Sequence, residues 1–212
     1  MAWTVSSQAN ATYQVFVADV KDPAGRKMVL EKTNGEWEPI DWSPDGTVIA
    51  TGCDDDVCRL WSPETGAIVL ELKDATAAVR FVRFSADGSR LLVGAYDATM
   101  RSYCTQTWTV LDEYRLPFQW ERAACVAGDQ VIVGSFGGTP VFHPPHPDRA
   151  MVPTYGINAL AAVDGRLLVG RDDGGVVDLA TGRRIAQHES IVNTVAVSPD
   201  HRVVVSGDYR GV

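Results

Sequence analysis

Residues 41–66, DWSPDGTVIATGCDDDVCRLWSPETG, decide the fold. They read as three short strands separated by turns, because SPDG (residues 43–46) and DDD (residues 54–56) carry residue types that favour tight turns. Residues 62–66 turn the chain again, and the apolar run 67–72 follows as a fourth strand. Four antiparallel strands in about 40 residues form one blade of a β-propeller.

The same pattern recurs along the chain, and each copy contains an apolar run that ends in glycine. These glycines are Gly52, Gly94, Gly134, Gly170 and Gly207, at intervals of 42, 40, 36 and 37 residues. A turn precedes each apolar run, and a short strand of small or apolar residues precedes each turn. Self-similarity at this period indicates a repeat architecture, with one blade for each copy.

These features resemble the WD-repeat family of β-propellers over essentially the whole chain. The first copy carries the match best, through its SPDG turn, its glycine followed by two aspartates, and its Arg59-Leu60-Trp61 ending. The resemblance implies an all-β propeller. It also implies structural turn residues, namely Asp55, Asp97 and Asp173 in the second turn of their copies and His188 before an inner strand.

The two ends of the chain are expected to complete one blade together. Residues 191–212 read as an inner strand pair without an outer pair, and residues 13–31 read as an outer pair. Sharing a blade removes two exposed sheet edges. We therefore predict a single domain over residues 1–212 with five blades, in which residues 1–11 form a polar arm. The alternative is a partial propeller that assembles with another chain.

A proline-rich segment departs from the repeat pattern. Residues 140–153, PVFHPPHPDRAMVP, hold five prolines, which lack the N–H that a central strand needs. This composition predicts a stiff, extended loop or an edge segment.

Composition and charge exclude several classes of function. The net charge of −8 disfavours binding to nucleic acid or to an anionic membrane surface. No run of eighteen apolar residues occurs, so a transmembrane helix is not expected. The first eleven residues lack the apolar core of a signal peptide, which predicts a cytoplasmic protein.

No catalytic or cofactor motif stands out in the sequence. There is no GxSxG elbow, no phosphate-binding loop and no HExxH pair. His143 and His146 have a spacing that suits a divalent metal, but the interpretation we favour is a surface loop that holds two histidines. We therefore predict no enzymatic activity, no cofactor and no metal site.

Aromatic and charged residues gather at the start of the inner strands, in loops that lie on one face of a propeller near its central opening. Trp37 and Trp120 immediately precede such strands, and Glu36, Glu38, Arg80, Arg122, Tyr155, Asn158 and Asn193 fall at comparable places. Trp, Tyr and Arg are the residues that interface hot spots favour. The alternative is that these residues close the loops over the core.

The predicted function is a non-enzymatic interaction module or scaffold subunit that binds a protein or peptide on this face. The alternative is a propeller that binds a small ligand or a carbohydrate, as a lectin does, with tryptophan stacked on a sugar ring. We expect a monomeric ring, with an oligomer as the alternative.

Overall fold

The structure is a computed structural model of the 212-residue chain. It describes residues 2–7, 12–19, 21–33, 40–115, 121–127, 130–135, 139–143, 146–152, 156–164, 166–198 and 200–210. Within these ranges all regular secondary structure is β-strand. The described part of the chain holds no helix with the length and apolar character needed to cross a membrane.

The strands follow one another at the spacing that the repeat predicts. They are β1 (Ala2–Ser7), β2 (Thr12–Asp19), β3 (Asp22–Thr33), β4 (Ile40–Trp42), β5 (Ile49–Thr51), β6 (Cys58–Trp61), β7 (Ile68–Leu72), β8 (Val79–Phe84), β9 (Arg90–Ala95), β10 (Thr99–Cys104), β11 (Val110–Arg115), β12 (Glu121–Ala127), β13 (Gln130–Ser135), β14 (Thr139–His143), β15 (His146–Val152), β16 (Ile157–Val163), β17 (Arg166–Arg171), β18 (Gly175–Asp178), β19 (Arg184–Gln187), β20 (Val192–Val197) and β21 (Val204–Asp208).

Four antiparallel sheets of four strands each form the complete repeats. They are β4–β7, β8–β11, β12–β15 and β16–β19, and in each sheet every strand pairs with the next one along the chain. The four-stranded blade that the sequence predicts is therefore confirmed four times. Within each unit the first strands of neighbouring sheets contact each other, as β4 contacts β8 and β12 contacts β16, and we call these first strands the inner strands. The second strand of each blade ends near the recurring glycine.

The two ends of the chain form smaller sheets. Strands β1, β2 and β3 make a three-stranded sheet, and β20 and β21 make a two-stranded sheet. In the N-terminal sheet β2 is the central strand, with β1 on one edge and β3 on the other. The blade shared between the two ends and the number of five blades stay predictions.

The polar arm predicted for residues 1–11 is wrong for residues 2–7. These residues form β1, which pairs with β2 from Ala2 opposite Val17 to Ser7 opposite Thr12. Trp3 and Val5 alternate with polar residues, and a period of two residues is typical of a strand. This alternation is a better guide to the structure than the mean polarity of residues 1–11.

The proline-rich segment contains the strands β14 and β15. Of the two alternatives predicted for residues 140–153, the edge segment describes β15, whereas the extended loop is wrong for both strands. β15 is the edge strand of its sheet, where a missing N–H is tolerated. β14 pairs with β13 through Val141 and Phe142 and not through Pro140. Its proline thus lies outside that ladder.

The chain divides into two compact units, Met1–Glu113 and Tyr114–Val212. In the first unit an apolar cluster joins the sheets β4–β7 and β8–β11, with Leu60, Leu72, Val79, Val82 and Leu91 among its members. In the second unit two clusters join successive sheets, one containing Ile132, Ile157 and Val169 and the other Leu168, Val176 and Val192. Each core therefore lies between neighbouring blades.

The recurring glycines have a steric cause. A Cβ atom on Gly134 would lie 2.7 Å from Cγ2 of Ile157, which belongs to the inner strand of the next blade. A Cβ atom on Gly170 would lie 2.6 Å from Cγ1 of Val192, again on the next inner strand. Gly94 differs in that a Cβ atom there would overlap the ring of Phe81, its partner within the same blade. Any other residue at these positions forces the sheets or the ring to move.

We expect Gly134→Ala to lower the free energy of unfolding by about 1–3 kcal/mol, the usual cost of overpacking a core. Urea denaturation monitored by tryptophan fluorescence measures this change. The double variant Gly134→Ala/Ile157→Ala removes the colliding methyl group, so its loss should be smaller than the sum of the two single losses. Additive losses would contradict the steric explanation.

Candidate functional site

A β-bulge occurs at the same place in four successive inner strands. The register shifts between Val79 and Phe81 in β8, and the equivalent shifts in β12, β16 and β20 leave one extra residue in each strand. The four extra residues are Arg80, Arg122, Asn158 and Asn193, all of which belong to the predicted partner-binding set. A bulge bends the strand and re-aims the side chain of its extra residue. These positions therefore differ structurally from the rest of the inner strands.

Arg80 is held by two neighbours in the first unit. Its Nη1 atom lies 3.6 Å from Oδ1 of Asp54, in the turn between β5 and β6. Its guanidinium carbon lies 4.7 Å from the centroid of the Tyr96 ring, a cation–π distance. The Arg80 side chain is 24% exposed. The charge is thus oriented before any partner arrives, and part of it stays accessible.

Asn158 and Asn193 have opposite environments in the second unit. Asn193 is exposed, whereas Asn158 is 5% exposed. The Nδ2 atom of Asn158 donates to Oδ1 of Asp172 at 2.6 Å. Its Oδ1 atom is buried and has no hydrogen-bond partner among the described residues. Asn158 therefore positions the Asp172 carboxylate and offers little surface of its own.

Five of the predicted binding residues lie outside the described residues: Glu36, Trp37, Glu38, Trp120 and Tyr155. Arg122 is placed by its backbone at the bulge in β12. The structure thus brings four of the nine residues to equivalent positions in four blades.

The carboxylates of the second turns hold loops together. Asp97 accepts hydrogen bonds from the backbone N–H of Thr76 at 3.0 Å and of Thr99 at 2.9 Å, and its Oδ2 atom lies 3.5 Å from Nη1 of Arg101. The loop before β8, which leads to Arg80, is therefore tied to the turn between β9 and β10.

Asp55 and Asp173, which are equivalent to Asp97 in other blades, also accept hydrogen bonds that stabilise their turns. Asp55 accepts two hydrogen bonds from Arg59, at 3.0 and 2.9 Å. Asp173 accepts a bond from the N–H of Gly175 at 3.0 Å. His188 places Nε2 2.8 Å from Oγ of Ser206 and Nδ1 3.9 Å from a carboxylate oxygen of Asp208, so this histidine ties the end of β19 to β21.

Two aspartates have pKa values shifted in opposite directions. Burial alone raises the pKa of Asp97, but hydrogen bonds from Thr99 and Thr76 and the charge of Arg101 together lower it below its usual value. Burial raises the pKa of Asp41, despite the charge of Arg83 and the N–H of Phe84. The Phe84 N–H donates to Oδ2 of Asp41 at 2.7 Å, which links the inner strands β4 and β8.

Sequence reasoning missed several of these contacts. Tyr103 donates from its hydroxyl to Oδ2 of Asp74 at 2.9 Å, and Arg101 donates from Nε to Glu113 at 3.0 Å. The available signal was the 42-residue spacing that relates Arg59 to Arg101 and Trp61 to Tyr103. Among the described residues, no group of three or more His, Cys, Asp and Glu side chains is arranged to hold a metal ion.

Comparison with known proteins finds a family model that matches three segments, which together make up less than half of the chain. The family model "WD domain, G-beta repeat" matches residues 40–62, 66–103 and 181–211. Periodic tryptophan protein 2 of Arabidopsis thaliana is 27% identical over 106 residues, which are 49% of this chain and 12% of that protein. WD repeat and SOCS box-containing protein 1 of Danio rerio is 35% identical over 117 residues, 51% of this chain and 26% of that protein. The matches thus span about a quarter or less of these relatives.

A solved structure has the same fold. The β-propeller domain of Cps50 (Swd1) from Myceliophteria thermophila superposes with a TM-score of 0.70 and 16% sequence identity. The match covers 82% of this chain and 64% of that domain. The fold is therefore that of an all-β propeller, as the sequence predicts.

We expect Asp97→Asn to destabilise the protein by about 1–3 kcal/mol at pH 7, because hydrogen bonds to a charged acceptor are lost. A lowered pKa in the folded state stabilises the protein above the unfolded pKa of about 4, and this stabilisation is lost as the pH falls through the folded value. The stability difference between the wild type and the variant should therefore shrink as the pH falls below about 4.

Chemical denaturation at a series of pH values measures this difference. Asp56→Asn is the matched control, because it removes the same charge from the equivalent turn of the neighbouring blade at a positive φ of 66° that asparagine tolerates. If the stability difference between the wild type and Asp97→Asn did not change with pH, the charge of Asp97 would not be the cause of the destabilisation.

Proposed function

We propose that this chain, which has the β-propeller fold, is a WD-repeat protein and a non-enzymatic interaction module that binds a protein or peptide where the inner strands begin. Propellers of this family chiefly serve as scaffolds for protein interactions, and the fold alone does not identify the partner. The observation that carries the proposal is the bulge that recurs at one place in four blades, with arginine or asparagine as its extra residue.

Repetition at neighbouring positions supports a continuous binding surface within the second unit. The inner strands β12, β16 and β20 pack beside one another in that order. Arg122, Asn158 and Asn193 therefore follow one another from blade to blade. A protein partner that crosses these strands meets the extra residues of β12 and β20 and, at β16, the exposed Asp172 carboxylate that the buried Asn158 positions. Several contacts of this kind add up to a specific interface.

The geometry of Arg80 supports the same use in the first unit. An arginine that lies over an aromatic ring and beside a carboxylate loses less side-chain freedom when it binds than a fully mobile arginine does. Arginine and tyrosine are also the residue types that contribute most at interface hot spots. We propose that Arg80 contacts the partner directly and that Asp54 and Tyr96 orient it.

Selection of binders from a peptide library displayed on phage provides a defined partner for the test. We expect Arg80→Ala to weaken binding of a peptide selected on the first unit, and Arg122→Ala to weaken binding of a peptide selected on the second unit, each at least about tenfold, as loss of a hot-spot residue does. Arg202→Ala is the matched control, because Arg202 is 84% exposed in the turn at the other end of β20. Isothermal titration calorimetry gives the dissociation constants.

If both arginine variants bound as tightly as the wild type, the proposal that the bulge residues form the binding site would be wrong. Binding of a saccharide on a glycan array, abolished by Trp120→Ala, would instead favour the carbohydrate-binding alternative. The location of the protein in the cytoplasm is part of the proposal, and fluorescence microscopy of the tagged chain tests it.

A further inference from the structure

A cavity of about 510 Å³ in the first unit is lined by residues of the sheets β4–β7 and β8–β11. Three turns contribute to it, namely the turns that join β4 to β5, β8 to β9 and β10 to β11. Its volume falls within the range of about 300–1,000 Å³ that is usual for ligand pockets. Phe84, the last residue of β8, lines the cavity, whereas the bulge residue Arg80 lies at the start of β8. The cavity is therefore separate from the surface of the proposed function.

Phe84 and Trp108 give the cavity an aromatic part. Trp108 has a positive φ of 56°, which bulky residues rarely adopt. The corresponding turns of the sheets β4–β7 and β16–β19 have glycine there, Gly66 with φ 75° and Gly182 with φ 70°. In all three turns the N–H of this residue donates to the carbonyl oxygen four residues earlier, at 2.7, 2.8 and 2.9 Å. The turn thus forms without a tryptophan, and the indole of Trp108 is available to line the cavity.

Two exposed carboxylates, those of Asp45 and Asp87, line the same cavity. Oγ of Ser43 donates to Oδ1 of Asp45 at 2.6 Å, and Oγ of Ser85 donates to Oδ1 of Asp87 at 2.6 Å. These hydrogen bonds are the main cause that lowers the pKa of each aspartate, that of Asp87 to about 2. Both carboxylates are therefore ionised at neutral pH.

Neither of these two charges is balanced by a basic side chain in the part of the chain that the structure describes. Other turn carboxylates of the same sheets differ, since Asp55 pairs with Arg59 at 2.9 Å and Asp97 with Arg101 at 3.5 Å. A cavity that combines aromatic rings with unpaired carboxylates suits a cation. Arginine is such a cation, because its guanidinium group both stacks on aromatic faces and donates to carboxylates.

We infer that this cavity binds an arginine side chain of a partner polypeptide. The guanidinium group lies against the indole of Trp108 and donates to the carboxylates of Asp45 and Asp87, and the neighbouring peptide groups of the partner fill the remaining volume. Arginine fits better than lysine because its five N–H donors can reach acceptors on different turns. A residue within a polypeptide fits better than free arginine, because both aspartates repel the carboxylate of the free amino acid.

N-acetyl-arginine N-methylamide is the probe for this site, because it presents the side chain between uncharged peptide groups. NMR spectra of the isotope-labelled 212-residue protein follow the indole N–H of Trp108 and the amides of residues 43–48 and 85–89 during a titration. We expect saturable shifts of these signals in the millimolar range. The citrulline analogue has the same shape without the charge and should bind at least about tenfold more weakly. The lysine analogue and free arginine should also bind more weakly than the probe.

Variants of the protein test the carboxylates and the indole separately. Asp45→Asn/Asp87→Asn removes both charges but keeps a side-chain oxygen for each turn, and it should weaken binding at least about tenfold. Asp200→Asn is the matched control, because Asp200 accepts the equivalent hydrogen bond from Ser198 at 2.6 Å and is not one of the residues that line the cavity. Trp108→Gly gives the turn the residue of its counterparts. It should weaken binding at least about tenfold and leave the protein folded, as the dispersion of the amide signals shows.

Four results would overturn the inference. The first is the absence of saturable shifts with the arginine probe. The second is equal affinity for the arginine and citrulline probes, which would mean that the charge is not recognised. The third is equal affinity for the lysine analogue, which would contradict the selection of arginine. The fourth is unchanged binding to Asp45→Asn/Asp87→Asn, which would mean that the probe binds outside the cavity.

Discussion

The close approach of one blade to the glycine of its neighbour sets the geometry on which the rest of the second unit depends. Ile157 packs where a Cβ atom of Gly134 would lie, and Val192 packs where a Cβ atom of Gly170 would lie. Backbone and side chain touch there without an intervening layer, so a change in either position shifts a whole sheet. This is why an apolar run that ends in glycine marks the blades more reliably than any polar motif in the chain.

Polar contacts vary more between blades than the packing does. At the third-strand position, Trp61 donates to Thr51, whereas Tyr103, 42 residues later, donates to Asp74. Burial and the Asp74 carboxylate both raise the pKa of Tyr103, so its hydroxyl stays protonated and remains a donor. In these two sheets the position holds an aromatic ring whose single donor is satisfied, and the equivalent position after Gly170 is Leu179. The position thus accepts residues of different polarity while the strand pairing is kept, which is how a degenerate set of repeats folds into regular sheets.

The sequence alone predicts the four complete blades, because alternation and turn residues are local signals. It does not predict the bulges at Arg80 and Asn158, because a bulge is a property of the pairing between two strands and the extra residue differs from blade to blade. Strand β1 was missed because the polarity of residues 1–11 was averaged over a segment in which Trp3 and Val5 alternate. The strand pair in the proline-rich segment was missed because the positions that tolerate proline depend on which strand lies at the edge.

The candidate functional positions share one property: they lie where a strand departs from the regular hydrogen-bonded ladder. Turn carboxylates such as Asp97 and Asp55 are engaged by backbone N–H groups and arginines. A carboxylate that is engaged within its own sheet is less available to a partner. Recognition is therefore expected where a strand departs from its regular ladder. The bulge positions depart from it by one extra residue. In β8 that residue is Arg80, whose charge is oriented by its neighbours and stays partly accessible, which makes it suitable for binding.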